Sequence, residues 1–477
     1  MENKPDSIAK NANAVMMAEE PVGRLLWKFS LPAALGVIIS LLYNLADVAF
    51  VGQGVDAIAV GALTLAGSFM MAVTAVSNLF GMGAANLISV KLGQGKPDEA
   101  QSALTHSFVL LLASAAIITL LGVLFLEPLL MLFGAVPGTR SMAYAKDYTL
   151  IILFGTVPNM VSFGLSHGTR AQGFKTATML IMVVGAAINL VLDPLFIFVF
   201  RWGVSGAAWA TIIAQSVSML IGLYYTFFKK NALHISLKAF RFLWKTVKLI
   251  LTFGLSQFAV QFASTLISAV YNVSMNQYGP AYFGIAAGGD MALSAFGVLI
   301  KIQQTALMPI MGITQGAQPI LGFNYGAKKY GRVRKTIQLA ALSATVICLV
   351  GFTVAELFPA LVTHVISSSI SGDMLDFCVW ILRISLITLP IVGFQIVSAN
   401  YFTVIGKMKQ SLFLTLSRQC LFLIPLVLVL GNRMGLEGVI IAGPVSDGLS
   451  FLITGLLVTK EVRKLRKLEK NILTGAV

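Results

Sequence analysis

Long apolar stretches recur along almost the whole chain, and they limit the folds that are open to it. Of its 477 residues, 57% are hydrophobic and only 11% are charged. A bilayer core about 30 Å thick is crossed by roughly 20 helical residues, and a helix satisfies its own backbone hydrogen bonds within lipid. Twelve stretches of suitable length lie at 31–51, 60–90, 103–126, 144–166, 178–200, 205–228, 249–276, 290–320, 337–358, 376–399, 412–430 and 438–458. The sequence therefore predicts an all-α integral membrane protein with twelve transmembrane helices.

The distribution of basic residues predicts how these helices are oriented. The net charge is +15, with 34 Lys and Arg residues. If the N-terminus is inside, 28 of them lie in the tails and even-numbered loops; the other six are Arg140, Lys146, Arg201 and Arg433 on the opposite side and Lys301 and Arg383 within spans. An excess of basic residues in cytoplasmic loops is typical of membrane proteins. We therefore expect a multi-pass protein of the cytoplasmic (inner) membrane with both termini in the cytoplasm. Binding to nucleic acid is not needed to explain the positive charge.

A basic loop at 229–248 divides the twelve predicted spans into two sets of six. This predicts an N-lobe at 29–228 and a C-lobe at 249–459, flanked by cytoplasmic tails at 1–28 and 460–477. Basic and apolar residues of the loop both recur at three- and four-residue intervals, which favours an amphipathic helix in the headgroup plane. The loop is interpreted as an inter-lobe linker, with a regulatory or lipid-specific role as the alternative.

The two predicted lobes resemble each other in sequence. "GAANLISVKLG" at 83–93 matches "GAQPILGFNYG" at 316–326, a separation of 233 residues. Gly173 and Gly406 keep the same offset, and Tyr43-Asn44 reappears as Tyr271-Asn272. Because six spans separate the copies, the repeat is parallel, with both lobes in the same orientation. Transporters are commonly built in this way, with the substrate path between two lobes.

Two aspartates of the N-lobe spans are candidates for binding a coupling ion. At a rise of about 1.5 Å per residue, Asp47 and Asp193 each lie about 23 Å from the inner surface. Thr211 is predicted near the same level. Asn44 is three residues before Asp47 and Asn189 is four before Asp193, so each asparagine is predicted to share the helical face of its aspartate. These oxygen-bearing groups would suit a proton or a sodium ion. The alternatives are that Asp47 reaches the outer surface and that Asp193 bonds backbone groups freed by Pro194.

The C-lobe spans contain a different set of charges. Lys301, Arg383 and Asp447 lie about 12 to 16 Å from the outer ends of their spans. Opposite charges at a common depth predict a buried ion pair or triad. Asp290 is near the outer mouth of its span, where it would be solvated or would guide a cationic substrate.

No pattern in the sequence indicates catalysis. The nucleotide-binding pattern GxxxxGK[ST] is absent, and the four histidines show neither metal-ligand spacing nor a triad arrangement. The three cysteines, Cys348, Cys378 and Cys420, are in or near predicted spans and imply no disulfide framework. We expect neither an enzyme nor a cofactor.

Several segments together resemble the multidrug and toxic compound extrusion (MATE) transporters over residues 22–458. They are "LLYNLADVAFVGQ", "GMGAANLISVKLGQGKPDEAQ", "GTRAQGFKTATMLIMVVGAAINLVLDPLFIF", "WGVSGAAWAT" and "LIKIQQTALMPIMGITQGAQPILGFNYGAKK", the last of which is similar to the MepA-like branch. The resemblance implies two V-arranged six-helix lobes. It also implies that Asp47, Asn189, Asp193 and Thr211 match the family's N-lobe cation site. In span seven, where the NorM-like branch has a glutamate, this chain has only Gln257 and Gln261.

The resemblance implies a secondary active efflux transporter. Such a protein exports amphipathic organic cations and drugs by antiport with H⁺ or Na⁺ through alternating access. Besides these small molecules it would contact membrane lipids, and we expect a monomer. A flippase for lipid-linked precursors or oligosaccharides, from the same broader superfamily, is the alternative. The substrate-cavity candidates are Tyr43, Asn159, Gln257, Gln261 and Asp290.

Overall fold

The computed structural model describes residues 12–55, 57–132, 135–228, 233–236, 240–366 and 372–474. Over these residues the chain is almost entirely helical and contains no β-strand. The N-terminal tail up to residue 11, linker residues 229–232 and 237–239 and the last three residues of the C-terminal tail lie outside this description. From Ala12 onward the predicted N-terminal tail forms a short helix.

The helices of the N-terminal half cover most of the first six predicted spans and extend beyond them. They are α1 Ala12–Glu19, α2 Val22–Gly54, α3 Ala57–Ser77, α4 Gly83–Gly93, α5 Pro97–Leu124, α6 Leu126–Leu132, α7 Arg140–Phe154, α8 Thr156–Ala171, α9 Lys175–Pro194 and α10 Gly203–Phe228. Two π-helical segments, Asn78–Met82 and Leu195–Val199, continue α3 and α9.

The helices of the C-terminal half follow the same pattern. They are α11 Trp244–Phe283, α12 Gly288–Gly326, α13 Tyr330–Leu357, α14 Pro359–Ile366, α15 Asp373–Leu386, α16 Leu389–Val404, α17 Met408–Leu416 and α18 Ile424–Leu473. A third π-helical segment, Ser417–Leu423, joins α17 to α18. Helix α18 is broken at Gly435, whose φ of 61° is in the left-handed region that glycine adopts without strain.

The described residues support the predicted count of twelve spans. Nine helical stretches are long and apolar enough to cross a membrane, and the last of them, Met408–Ile472, consists of two spans separated by the break at Gly435. Two further spans are bent pairs of helices, α7 with α8 at 53° and α15 with α16 at 48°. The all-α membrane architecture expected from the sequence is therefore confirmed.

Large apolar side chains cover much of the surface. Leu132, Phe228, Val365 and Leu456 are each more than 70% exposed, at 77%, 74%, 75% and 72%. In water such surface would be unfavourable at roughly 25 cal/mol per Å², whereas lipid chains accommodate it. The outward-facing leucines, valines and phenylalanines therefore fit a hydrocarbon environment.

The linker forms the predicted helix only at its C-terminal end among its described residues. Residues 233–236 and 240–243 are irregular, whereas residues 244–248 are helical and begin α11. Side chains of the N-terminal half take up the linker's backbone donors: Leu233 N donates to Gln172 Oε1 at 2.6 Å and Leu243 N donates to His106 Nε2 at 2.9 Å. Since these donors are bonded outside the segment, they are not available for a local helix. The predicted helix is wrong here because periodicity does not reveal such tertiary partners.

Two compact units are distinguished by their internal contacts. Unit 1 contains the chain up to Phe258 together with 318–328 and 404–406, and unit 2 contains 259–317, 329–403 and 407–477. Unit 1 thus includes the end of α12, which carries the second copy of the repeated motif, besides the whole predicted N-lobe. The reason is close packing of small residues within unit 1, where a Cβ on Gly93 would lie only 2.8 Å from the Phe323 carbonyl carbon.

Candidate cation-binding site

Asp193 is the most deeply buried acidic side chain in the described part of unit 1. It is the penultimate residue of helix α9, just before Pro194, and is 0% exposed. Its Oδ1 accepts a hydrogen bond from Asn189 Nδ2 at 3.1 Å. Its Oδ2 is buried and has no hydrogen-bond donor in the described structure. A buried carboxylate with only one partner has unmet capacity to bind a proton or a cation.

Asn189 connects this aspartate to helix α10. Its Nδ2 is also 3.4 Å from Thr211 Oγ1, while the Thr211 hydroxyl donates to the Ala207 carbonyl at 3.0 Å. Because Asn189 Nδ2 makes both of these contacts, Asn189 Oδ1 is left as a free acceptor. That oxygen is buried and accepts no hydrogen bond in the described structure. The sequence placed Asn189, Asp193 and Thr211 at one level, and the structure brings the three together.

Asp47 approaches this group from helix α2, which packs against α9. It is 9% exposed, and its Oδ1 is another buried acceptor without a donor. Asp47 and Asp193 are close enough to repel each other electrostatically. The alternative in which Asp47 reaches the outer surface is not what the structure shows, because the side chain is buried.

Two tyrosines complete the surroundings of the aspartate pair. Tyr43, a substrate-cavity candidate from the sequence, lies one helical turn before Asp47 and within electrostatic range of both aspartates. Tyr148 of helix α7, which sequence reasoning missed, is 8% exposed, is within range of both aspartates and interacts with the Thr211 hydroxyl. A polar hydroxyl within the predicted span 144–166 was the available signal for Tyr148.

Asn44 does not belong to the site. It is exposed, and its Nδ2 donates to the Ser40 carbonyl of its own helix at 2.6 Å. The prediction that it shares the face of Asp47 is therefore wrong. A three-residue step rotates a side chain by about 60° around the helix, and here that rotation separates a buried position from an exposed one.

The chemistry of the site follows from its donor set. Asp47 Oδ1, Asn189 Oδ1 and Asp193 Oδ2 are three buried oxygen acceptors without donors. Carboxylate, amide and hydroxyl oxygens are hard ligands, and two neighbouring carboxylates in low dielectric are favoured when a proton or cation accompanies them. No group of three or more His, Cys, Asp or Glu side chains suited to a metal ion occurs in the part of the chain that is described. These ligand oxygens therefore fit H⁺ or Na⁺ better than a transition metal.

The predicted triad of Lys301, Arg383 and Asp447 is wrong. Arg383 Nε pairs with Glu356 Oε1 at 3.3 Å, and both side chains are about half exposed. Lys301 is exposed, whereas Asp447 Oδ2 accepts from Thr388 Oγ1 at 3.1 Å. Equal depth in the membrane does not fix the direction in which a side chain leaves its helix, so the three charges face different neighbours.

The remaining cavity candidates belong to both units. In unit 1, Asn159 is partly buried in α8, where its carbonyl accepts from Ser162 Oγ at 2.9 Å, and Gln257 is partly buried on α11. In unit 2, Gln261 is partly buried on α11 and Asp290 is exposed at the start of α12.

In the described residues, twelve helical spans and a buried pair of aspartates define a polytopic membrane protein with acidic side chains within its spans. The MatE family model matches residues 32–195 and 261–429, so the chain belongs to the MatE family. Its relatives include the multidrug export protein MepA of Staphylococcus aureus strain MSSA476, 24% identical over 455 residues that cover 94% of this chain and 96% of the relative. MepA of Staphylococcus haemolyticus is 24% identical over 90% of this chain and 92% of its own length.

Solved structures show the same fold. A MATE crystal structure in the bent conformation matches with a TM-score of 0.87 at 23% identity, covering 96% of this chain and 98% of that one. An outward-facing multidrug resistance MATE transporter of the MOP superfamily matches with a TM-score of 0.88 at 24% identity, covering 96% and 100%. The chain is therefore a multi-pass membrane protein of the MATE transporter family, and its relatives are transporters rather than enzymes.

Proposed function

We propose that the chain is a secondary active multidrug exporter that expels amphipathic organic cations in exchange for H⁺ or Na⁺. The single observation that supports this most strongly is the set of unpartnered buried oxygens on Asp47, Asn189 and Asp193. Within a membrane-spanning unit, such a set is unfavourable unless a proton or cation occupies it. Binding of the ion in one state and of substrate in another provides the differential affinity that coupling requires.

Alternating access is the second part of the proposal, and it is supported by the packing of the repeated motifs in unit 1. Gln318 Nε2 donates to Asn86 Oδ1 at 2.6 Å between two fully buried side chains. In the same motifs, Gly93 and Gly326 let the two backbone segments pack so closely that a Cβ at either position would overlap backbone atoms of the other segment. This buried contact, which has two unmet polar atoms at Asn86 Nδ2 and Gln318 Oε1, is a closure that can open when the ion or substrate changes.

The charge of the site argues against the flippase alternative. Lipid-linked precursors carry phosphate groups, which need basic partners, whereas the buried charges at this site are the carboxylates of Asp47 and Asp193. Organic cations are electrostatically compatible with the same carboxylates.

Uptake into everted membrane vesicles tests the function, because the cytoplasmic face of such vesicles is outside. A fluorescent organic cation is added to the medium, and a proton gradient and a sodium gradient are imposed separately. The proposal expects one of the gradients to drive substrate movement and its collapse to stop it. Movement that follows neither ion, or that requires ATP, would contradict it.

Orientation is tested by cysteine labelling from outside intact cells. In a chain whose three native cysteines are replaced by alanine, an impermeant maleimide should label Gly138→Cys and should spare Lys460→Cys. The reverse pattern would invert the proposed topology, with both termini in the cytoplasm.

A further inference from the structure

The end of the linker and the first turns of α11 present a surface that combines bulky apolar side chains with positive charge. Six exposed residues of unit 1 form this surface, which we call the linker patch: Arg241, Phe242, Leu243, Trp244, Lys245 and Lys248. Its three apolar members are 60%, 49% and 65% exposed in chain order. The proposed antiport assigns no role to this surface.

Contacts with helix α5 hold the irregular part of the linker patch in place. Leu243 N donates to His106 Nε2 at 2.9 Å, and the other ring nitrogen, Nδ1, is 2.8 Å from the Ser102 carbonyl. Since a carbonyl only accepts, Nδ1 carries the proton and both ring nitrogens are in use. The His106 ring also packs against Phe240 and Phe242, with centroids 4.9 and 6.2 Å away. The exposed position of the patch is therefore fixed by its own contacts.

The first turns of α11 separate an inner apolar face from an outer basic face. Val247 and Ile250 are 3% and 0% exposed, and Ile250 belongs to the apolar core of unit 1. A helix turns by about 100° per residue, so Lys245 and Lys248 lie together on the opposite side, where both are exposed. Burial of the inner face thus determines the direction in which these two ammonium groups point.

The positive charge of the linker patch has no acidic counterpart nearby in the chain. Between Asp193 and Asp290 the sequence contains no aspartate or glutamate. In the part of the chain that is described, no salt bridge involves Arg241, Lys245 or Lys248. Three exposed cations without an internal counter-charge attract anionic groups from outside the protein.

The position of the linker patch favours a lipid as that anionic group. Helix α11 is apolar enough to cross a membrane and begins at Trp244, so the patch lies where the chain enters the bilayer. Aromatic side chains are enriched at this depth, and clustered Lys and Arg residues there attract anionic headgroups. A soluble polyanion would neutralise the cations, whereas a lipid supplies both the negative headgroup and the apolar cover in one molecule.

We propose that the linker patch is a binding site for an anionic phospholipid of the leaflet that surrounds the start of α11. The phosphate binds Lys245 and Lys248, with Arg241 as the third cation. The acyl chains cover Phe242 and Trp244, whose ring centroids are 6.3 Å apart. The inference does not rest on the proposed antiport, because it concerns a lipid of the surrounding membrane and not a transported molecule.

Quenching of Trp244 fluorescence by brominated lipids tests the proposal. The reporter is the full-length chain in which every other tryptophan is replaced by phenylalanine, placed in phosphatidylcholine nanodiscs. The nanodiscs contain the same mole fraction of either phosphatidylglycerol or phosphatidylcholine with bromines near the headgroup end of the acyl chains. Each cation near a membrane surface typically strengthens binding to anionic lipid by roughly fivefold. Brominated phosphatidylglycerol should therefore bind at least about fivefold more tightly than brominated phosphatidylcholine, and 1 M salt should reduce this preference.

Matched variants assign the preference to the linker patch. Its cations are exposed, so they can be neutralised without loss of a buried contact, in the triple variant Arg241→Gln/Lys245→Gln/Lys248→Gln. In this variant both brominated lipids should quench Trp244 equally, whereas Lys245→Arg/Lys248→Arg should retain the preference. A control removes as many exposed charges from helix α18 and should leave the preference unchanged: Lys460→Gln/Lys464→Gln/Lys467→Gln.

Four results would overturn the lipid site. The first two are equal quenching of Trp244 by both lipids in the unchanged patch and a preference that persists in the glutamine triple variant of the patch. The third is loss of the preference in the α18 control, since binding would then follow the total charge. The fourth is full recovery of Trp244 fluorescence on addition of polyglutamate, which would identify a soluble acidic partner instead. No ion gradient is imposed, so failure of the proposed antiport would leave these results unaffected.

Discussion

Substituting alanine for Gly93 is expected to open the contact between the two repeated motifs in unit 1. A Cβ at this position would lie 2.8 Å from the Phe323 carbonyl carbon, closer still to its oxygen, and 3.0 Å from Ala327 N. All three are backbone atoms, so no side chain can rotate away, and the segments must separate by about 1 Å. Overpacking of this kind costs about 1 to 3 kcal/mol, and 2 kcal/mol corresponds to a shift of roughly 30-fold in the equilibrium between the closed and open contact.

Gly326 offers an internal check on this reasoning. Its Cβ would lie 3.0 Å from the Val90 carbonyl carbon and 3.1 Å from Gln94 N, on the other side of the same contact. One separation of the segments relieves both overlaps. The double variant Gly93→Ala/Gly326→Ala should therefore shift the equilibrium by clearly less than the sum of the two single shifts.

Accessibility of a buried reporter measures the opening. Ser89 is 0% exposed and adjoins Gly322 at this contact, so Ser89→Cys in the cysteine-free chain should be protected from a permeant maleimide. Gly93→Ala should accelerate labelling by an order of magnitude or more. The control Gly448→Ala adds a Cβ where nothing lies within 4 Å and should change labelling little. Equal protection in Gly93→Ala and Gly448→Ala would refute the closure.

Three further variants test single contacts. Thr211→Val should raise the ion concentration for half-maximal efflux, because Asn189 loses its second acceptor, and should cost about 1 kcal/mol of stability in thermal unfolding. Tyr148→Phe should shift the same ion concentration with little change in stability, and an unchanged ion dependence would exclude Tyr148 from the site. Glu461→Gln should lower the unfolding temperature through its partly buried pair with Lys407, at a cost of about 1.5 to 3 kcal/mol, while leaving ion dependence unaltered.

Much of the fold was predictable because helix length and polarity report directly on membrane crossing. The predicted windows coincide with observed helices, and the structure extends most of them by several residues. The two bends within predicted spans and the three π-helical segments were not foreseen, because short local changes in hydrogen bonding leave no periodic signal.

The candidate site was predictable in depth but not in direction. Counting residues placed Asn189, Asp193 and Thr211 at one level, and they do meet. The same counting failed for Asn44 and for Lys301, because rotation about the helix axis depends on packing between helices. Tyr148 was missed for a related reason: aromatic residues are common in membrane spans, and only the packing of α7 shows that this one is buried.

The central claim is that transport requires the negative charges of Asp47 and Asp193. Efflux by the two single variants that replace one aspartate with neutral asparagine tests this claim most directly. Asparagine retains the size of aspartate and part of its hydrogen bonding but has no negative charge to balance the exchanged ion. At matched amounts in vesicles, Asp47→Asn and Asp193→Asn should each abolish gradient-driven efflux, and the double variant should be little worse than either one. Retained efflux with unaltered ion dependence in both single variants would contradict a shared coupling site at Asp47 and Asp193.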